Sequence, residues 1–464
     1  MKLLKKIYGI KIEVYVAVFM FLMGFVMMNL VPTWQTPDEG THLEMIGQEI
    51  GKDIDFANTL REDVGIEPNR IIRNFDEKVN VDEITSSMTR EPQYSKSEML
   101  PEKISLSFIR HFPATIGILV GILMGVPSYW VLFLGELFAL IFYVAVCYKA
   151  LQIMPIKKEL FAVIMLMPMA LHQAGSLNYD AVVIPLIFFM IAYVFKLKYQ
   201  DEIGLKDFVK LLVLWAIITY IKMPYAFLIL LLLILPLDKI HIRIGKLDIS
   251  GTLIKKIRLP ICIIGIFLVG AAVYFLRNVF YVEMILSLIL EWKRALFLFF
   301  QTGATHTKSM IISTVGNFGW LDTPVRFDFA LVVFAMITAL ALVNNDNKTE
   351  KSLKTWDRVI IWGTAIALCV FTTTAMINHT VMTILYGYEW AEGTYDIRTA
   401  LYQIPFIGGI QGRYFLPFVS LIFVPLPQIK KVNKKIIWGA VALFEIALFI
   451  YIIHKLLERY WIIC

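Results

Sequence analysis

Seven consecutive residues, Thr36-Pro37-Asp38-Glu39-Gly40-Thr41-His42, put two carboxylates side by side and an imidazole four positions after the first of them. Just beyond an apolar run, such a pair suits general-base work. Partial desolvation and a neighbouring acid raise one carboxyl toward neutrality, where it can take a proton from a hydroxyl. Asp38 is the candidate base, and Glu39 could orient an acceptor or assist a divalent metal, although no complete ligand set accompanies it. The same spacing also reads as a helix start. Thr36 as N-cap, Pro37 at the first helical position and Glu39 three residues after the cap make a capping box for a helix carrying Leu43, Ile46 and Ile50. His42 would share a face with Asp38, and a lone histidine is more often structural than a ligand.

Other residue types invite similar readings. Asp180 closes the turn Ser176-Leu177-Asn178-Tyr179-Asp180 and is a candidate second acid, or with Asn178 simply a polar turn that caps the next helix. Lys222 stands at a helix end, where it could bind an anion or only snorkel. Arg413 enters an apolar stretch, and a charge there is costly unless it pairs or binds an anion; a bound anion and an acid such as Glu392 or Asp396 are the two candidates. Asp322 follows the Gly319-Trp320 pair and could contact a ligand or punctuate a loop. Cys147, Cys262, Cys369 and Cys464 show no metal-type spacing and no disulfide framework.

The elements that must position these residues are membrane helices. Of 464 residues 58% are hydrophobic and 17% charged, more apolar surface than one soluble core can use. The apolar residues cluster in runs near the length an α-helix needs to cross a bilayer. The net charge of +7 sits in short loops between those runs, as orientation signals rather than a patch for nucleic acid. Lys2, Lys5, Lys6 and Lys11 precede the first run, Val14 to Leu30, with no small-residue cleavage site after it, so an uncleaved helix with a cytoplasmic N-terminus is expected. Pro32 to Lys103 carries sixteen Asp/Glu against eight Lys/Arg and belongs outside. Ile104 to Gly125 is expected to form an interfacial or re-entrant helix pair.

From Trp130 onward the basic loops orient the helices. Spans are expected over Trp130 to Tyr148, Phe161 to Gly175, Ala181 to Phe195, Phe208 to Ile221, Ala226 to Leu237, Ile261 to Phe280, Phe329 to Val343, Val359 to Met376, Tyr414 to Leu426 and Ile436 to Ile453. The basic loop from Lys239 to Arg258 is the firmest cytoplasmic assignment. The expected architecture is thus all-α and polytopic, about eleven spans in one integral membrane domain over 1–464. A module over 1–238 carries the external loop 32–128, and a module over 239–464 carries the external loops 281–327 and 378–412. All the long loops and most of the unusual polar residues fall on the external face, which is the expected place of function.

Thr36-Pro37-Asp38-Glu39 directly after the first helix resembles the first-loop acidic motif of the GT-C membrane glycosyltransferases, such as the lipid A aminoarabinose transferases and the protein O-mannosyltransferases. Five further segments, in order along most of the chain, resemble a bacterial branch of that superfamily carried as a domain of unknown function. They are Met167-Pro168-Met169-Ala170 with Ser176-Leu177-Asn178-Tyr179-Asp180, Lys222-Met223-Pro224-Tyr225, Gly319-Trp320-Leu321-Asp322-Thr323, and Gly412-Arg413-Tyr414-Phe415-Leu416-Pro417. Where that branch often has Gly-Arg at the start of the second spanning helix, this chain has Gly135-Glu136.

The resemblance implies transfer of a sugar from a polyprenyl-phosphate-linked donor to a glycan, lipid or protein acceptor on the external face of the cell membrane, as in cell-envelope polysaccharide biosynthesis. It implies Asp38 and Glu39 as catalytic and places His42, Asp180, Lys222, Tyr225, Trp320, Asp322, Arg413 and Tyr414 among substrate-binding residues. No cofactor is implied with certainty, a divalent metal being the one candidate. A transporter or flippase of a lipid-linked saccharide would also need many helices and intramembrane charges, but no internal repeat supports it. A non-catalytic partner in envelope assembly is the third reading.

Overall fold

The computed structural model describes residues 11–67, 71–72, 74–244, 247–251, 253, 256, 275, 280–345, 353–392 and 397–462. Among them, five helices are long and apolar enough to cross a membrane: Ile12–Leu30, Ser128–Ile153, Asp180–Tyr199, the Thr355–Thr383 part of a longer helix, and Lys434–Tyr460. Phe112–Met124, Met223–Ile234 and Phe327–Leu342 are shorter apolar helices. The chain is mostly helical, with three two-stranded ladders besides: His241–Ile244 with Leu247–Ser250, Asn317–Phe318 with Thr323–Pro324, and a parallel pairing of Val343–Asn345 with Lys430–Val432.

The acidic segment after the first helix is folded. Helices Glu39–Glu49, Ile54–Val64 and Val81–Thr89 form there, the latter two started by the side chains of Asp53 and Asn80, which accept the N–H groups of Asp55 and Asp82. Leu43, Ile46, Ile50, Phe56 and Leu60 bury themselves against Ile118, Ile122 and Val131. Those three belong to a hairpin of Phe112–Met124 and Ser128–Ile153, whose two helices approach backbone to backbone. A Cβ on Gly117 would meet the carbonyl of Leu134, which is why glycine sits there. The main core gathers around Asp180–Tyr199, the most enclosed of the long helices, with Phe161, Phe188, Phe195, Phe418 and Phe449 among its largest members.

Three of the expected spans are not single α-helices, and prolines interrupt two of them. Phe161 to Gly175 is two short helices, Lys158–Met165 and Pro168–Ala174. Met223–Ile234, with Pro224 at its start, is 3₁₀. Tyr414 to Leu426 is a chain of 3₁₀ turns, Gly412–Tyr414 and Leu416–Phe418, followed by Ser420–Phe423, with Pro417 in its path. Each proline lacks an N–H and disfavours a helical residue before it. Conversely, two stretches expected as external loops are helical. Phe280–Leu290 and Trp292–Val315 fill most of 281–327, and Thr355–Glu392 runs on past Met376, since no proline interrupts either. The expected span Ile261 to Phe280 lies outside the described residues except at 275 and 280, as do parts of the basic loop before it.

The helix ends sort into two groups. At one end, Lys158 pairs with Glu13, the Lys157 ammonium donates to the carbonyls of Ala341 and Leu426 at 2.7 and 2.6 Å, and Lys198 pairs with Asp357 at 2.7 Å. At the other, the indole of Trp461 donates to the Leu30 carbonyl at 2.8 Å, that of Trp320 to Trp34 at 2.9 Å, and Lys222 meets Asp180. The first and last long helices therefore end on the same side.

Candidate functional site

The segment after the first helix turns sharply. Asp38 adopts φ 65°, ψ 9°, a left-handed conformation uncommon for a residue with a side chain and typical of sites where geometry is over-determined by surroundings. The capping-box reading is corrected by this turn. The helix begins at Glu39, not after Thr36, Asp38 occupies the N-cap position without a side-chain bond, and the Glu39 carboxylate accepts the backbone N–H of Trp34 at 2.9 Å as well as that of Thr36. Asp38 is left with its side chain 57% exposed.

Glu39 is buried beside Glu136, the residue standing where the resembling branch often has arginine. Burial pushes the Glu39 carboxyl up to about 6, opposed by the hydrogen bonds it receives. Two buried carboxyl groups in contact need a shared proton, so this pair fixes the loop and is not a free base. Glu136 also lines a cavity of about 170 Å³ together with Asn29, Thr33, Tyr129, Phe133 and Trp461.

Around Asp38 the cations gather. The guanidinium of Arg413, itself only 3% exposed, lies 3.6 Å from the Asp38 carboxylate, donates to the Gln173 side chain at 3.2 Å and stacks over Tyr414. Its Nε is buried with no hydrogen-bond partner among the described residues. Glycine precedes it because the backbone passes against another helix: a Cβ on Gly412 would collide with the Met310 carbonyl and Thr314, and its N–H donates to Ser313 at 2.8 Å. Lys222 pairs with Asp180 at 3.0 Å, inside a ring of aromatic faces with its ammonium 5.4 Å from Tyr179, 5.7 Å from Tyr225 and 4.6 Å from Tyr414. Burial alone would lower the Lys222 pKa, yet Asp180 and the tyrosines raise it, so the ammonium stays charged. The Tyr225 hydroxyl ties the cage together by donating to the Tyr414 carbonyl at 3.0 Å.

Of the residues singled out in the sequence, Asp38, His42, Asp180, Lys222, Tyr225, Arg413 and Tyr414 thus converge from four separate segments. Asp322 and Trp320 do not join them. Asp322 is buried in an ion pair with Arg459 at 2.8 Å, and Trp320 donates its indole N–H to the Trp34 carbonyl. The acids offered as alternative partners of Arg413 are not seen in that role: the side chains of Glu392 and Asp396 lie outside the described residues. Among the described residues no three His, Cys, Asp or Glu side chains converge as a metal site. Two members were missed. His111 and Glu49 are buried and hydrogen-bonded to each other at 2.9 Å, and His111 reaches His42 at 3.0 Å. The spacing of His42 and Glu49, two helical turns apart, was the available signal.

Residues 19–422 match the model of a family described as Predicted membrane protein (DUF2142), and the chain belongs to that family. No curated protein and no solved structure matches it.

Proposed function

We propose that this member of a family of predicted membrane proteins is a GT-C-type glycosyltransferase that moves a sugar from a polyprenyl-phosphate-linked donor to a cell-envelope glycan, lipid or protein acceptor at the external face of the membrane. The observation that carries this reading is an exposed carboxylate, Asp38, set 3.6 Å from a buried guanidinium, with the caged Lys222 ammonium close by. Glycosyl transfer from a lipid phosphate needs that combination. The acceptor hydroxyl oxygen bonds to the anomeric carbon and gives its proton to Asp38. The bond from that carbon to the phosphate oxygen breaks, and its electron pair stays on the phosphate, whose charge Arg413 and Lys222 stabilise. A guanidinium with a spare N–H suits a bidentate phosphate contact better than an ammonium does.

The external assignment rests on the basic loops, and a span count near eleven remains part of the same proposal. The grouping of Leu30, Asp180, Lys222 and Trp461 at one end and of Glu13, Lys157, Lys198 and Asp357 at the other supports it. The test is chemical. Lipid extracts of cells lacking the chain should accumulate one lipid-linked sugar, and Arg413→Lys should restore its consumption only in part while the protein stays folded. Full consumption with Arg413→Ala would remove the phosphate role.

A further inference from the structure

The Arg413 guanidinium is held by a neutral side chain that the transfer chemistry above does not use. Gln173 is fully buried on the short helix Pro168–Ala174, which Pro168 starts and whose Leu171 and Ala174 pack in the main core. The Ser176 hydroxyl donates to the Gln173 main-chain carbonyl at 2.8 Å, so the residue is fixed at its backbone. Its side-chain oxygen accepts from Arg413 Nη1 at 3.2 Å, across 240 residues of sequence. The amide cannot be turned over in this contact, because a guanidinium only donates and must meet the oxygen. Gln173 Nε2 is thereby left buried with no hydrogen-bond partner among the described residues.

Hydrogen-bond accounting then shows which edge of the guanidinium is open. Nε and Nη2 carry parallel N–H bonds along one edge, the fork that meets two oxygens of a phosphate side by side. Nη1 lies off that edge and is the nitrogen that Gln173 holds. On the open edge, Nε is unpartnered among the described residues, and Nη2 faces the exposed Asp38 carboxylate 3.6 Å away. Tyr414 and Asp180 act on the guanidinium as well, but Asp180 is already spent on Lys222 at 3.0 Å. The unpaired atoms of the two side chains, Arg413 Nε and Gln173 Nε2, are both donors, and a ligand that satisfies donors is rich in acceptors. The charge is left open in the same way. A carboxamide fixes a guanidinium without cancelling its charge, whereas a carboxylate in this place would occupy it, as Asp322 does at Arg459.

We infer that Gln173 is a positioning residue for the donor phosphate: its oxygen holds Nη1 so that the Nε–Nη2 edge of Arg413 is presented to two phosphate oxygens, and its neutrality keeps the guanidinium charge for that ligand. This rests on the transferase reading, in which the ligand of Arg413 is a lipid phosphate. Two other side chains of similar size mark what glutamine contributes. Glutamate would hold the guanidinium and close it, and methionine would fill the same space and hold nothing.

The test titrates full-length protein in detergent with farnesyl phosphate, a short prenyl phosphate, and with farnesol, which has the same tail and no phosphate, following binding by calorimetry. The readout is the ratio of the two affinities, which a loss of packing common to both ligands does not move; the ligand-free Tm of each variant checks its folding. Native protein should prefer farnesyl phosphate. Gln173→Glu should cut that preference roughly tenfold or more, because the new carboxylate competes with the phosphate for a charge-assisted contact. Gln173→Met should cut it about three- to tenfold, the worth of the hydrogen bond that orients the fork. A native preference retained in Gln173→Glu overturns the inference. Should that variant not fold, Gln173→Met decides, and an unchanged preference there overturns it equally. If native protein shows no preference for the phosphate, the anion role of Arg413 in the transferase reading fails and takes Gln173 with it. A strong native preference that ignores both substitutions leaves that role standing and removes only the role of Gln173.

Discussion

Two arginines in this molecule are almost equally buried and meet opposite fates. Arg459 sits 2.8 Å from Asp322, both side chains at most 4% exposed, donates to the Ile71 carbonyl at 2.7 Å and stacks on Phe75 and Tyr460. Around it the last helix is stitched to the rest of the chain: Val79 N–H donates to the Tyr460 carbonyl at 2.8 Å and Lys78 to the Glu458 carbonyl at 2.9 Å. Arg413 has no such partner. Its nearest carboxylate, that of Asp38, is 3.6 Å away and mostly in solvent. A short pair with both members buried is a latch, because removing either leaves a stranded charge. A buried guanidinium facing a loosely held, exposed acid is free to exchange that acid for a ligand's phosphate. Burial of an arginine is therefore uninformative by itself, and the tightness of its pairing separates structure from function.

The largest expected effect breaks the latch. Asp322→Asn should lower stability by about 3–5 kcal/mol, seen as a fall in Tm in detergent, without changing donor use in the protein that remains folded. Asp322→Leu combined with Arg459→Met should recover most of that loss, since an apolar replacement of both partners strands nothing. If Asp38→Asn lowered Tm as much as Asp322→Asn does, the distinction between the two arginines would fail. Next in size is Gly412→Ala, where a methyl group must displace the Met310 carbonyl or Thr314; a loss of about 1–3 kcal/mol is expected from such overpacking, with donor use reduced through the adjacent Arg413.

The pH dependence sharpens the comparison at the functional end. His42, with its pKa lowered to about 3, contributes stability that is complete above the ordinary histidine value of 6.5 and is lost as pH falls toward 3. Glu39, raised to about 6, acts oppositely: its contribution is complete below the ordinary 4.5 and lost as pH rises through 6. Melting curves between pH 4 and 8 should show His42→Phe flattening the acid limb and Glu39→Gln flattening the loss between 4.5 and 6. The smallest effect is expected at the exposed Arg326–Asp328 pair, where Arg326→Ala should leave Tm unchanged within error.

How much of this was legible in the sequence follows from the kind of signal each feature gives. Long apolar runs with basic flanks mark the presence of Ile12–Leu30, Ser128–Ile153, Asp180–Tyr199 and Lys434–Tyr460, because length and hydropathy decide them, but the last of these runs on to Tyr460 where Ile453 was the expected end. Pro168, Pro224 and Pro417 were visible too, but their consequence was not, since an apolar run reads the same whether it is one helix or two short pieces. In the acidic loop Leu43, Ile46 and Ile50 announced the first helix, but Ile54–Val64 and Val81–Thr89 stayed hidden because their apolar faces are sparse. At the site, charges in apolar surroundings stood out, so Arg413, Lys222 and Asp180 could be named in advance. Their cage of tyrosines could be named only as motif members. His111 and Glu49 were invisible as a pair, since 62 residues separate them and their meaning comes from contact across two helices. Asp322 shows the converse: the sequence could not reveal that the acid beside Gly-Trp is set against Arg459, 137 residues away.

The central claim is that Asp38, held in its left-handed turn in front of Arg413, takes the acceptor's proton. It is tested most directly by Asp38→Asn in membranes of cells otherwise lacking the chain, measuring consumption of the accumulated lipid-linked sugar alongside the melting temperature of the purified protein. The account predicts a loss of about a hundred-fold or more in transfer, the usual cost of removing a general base, with Tm unchanged because the exposed side chain caps nothing. Near-normal transfer by a folded Asp38→Asn protein would contradict it.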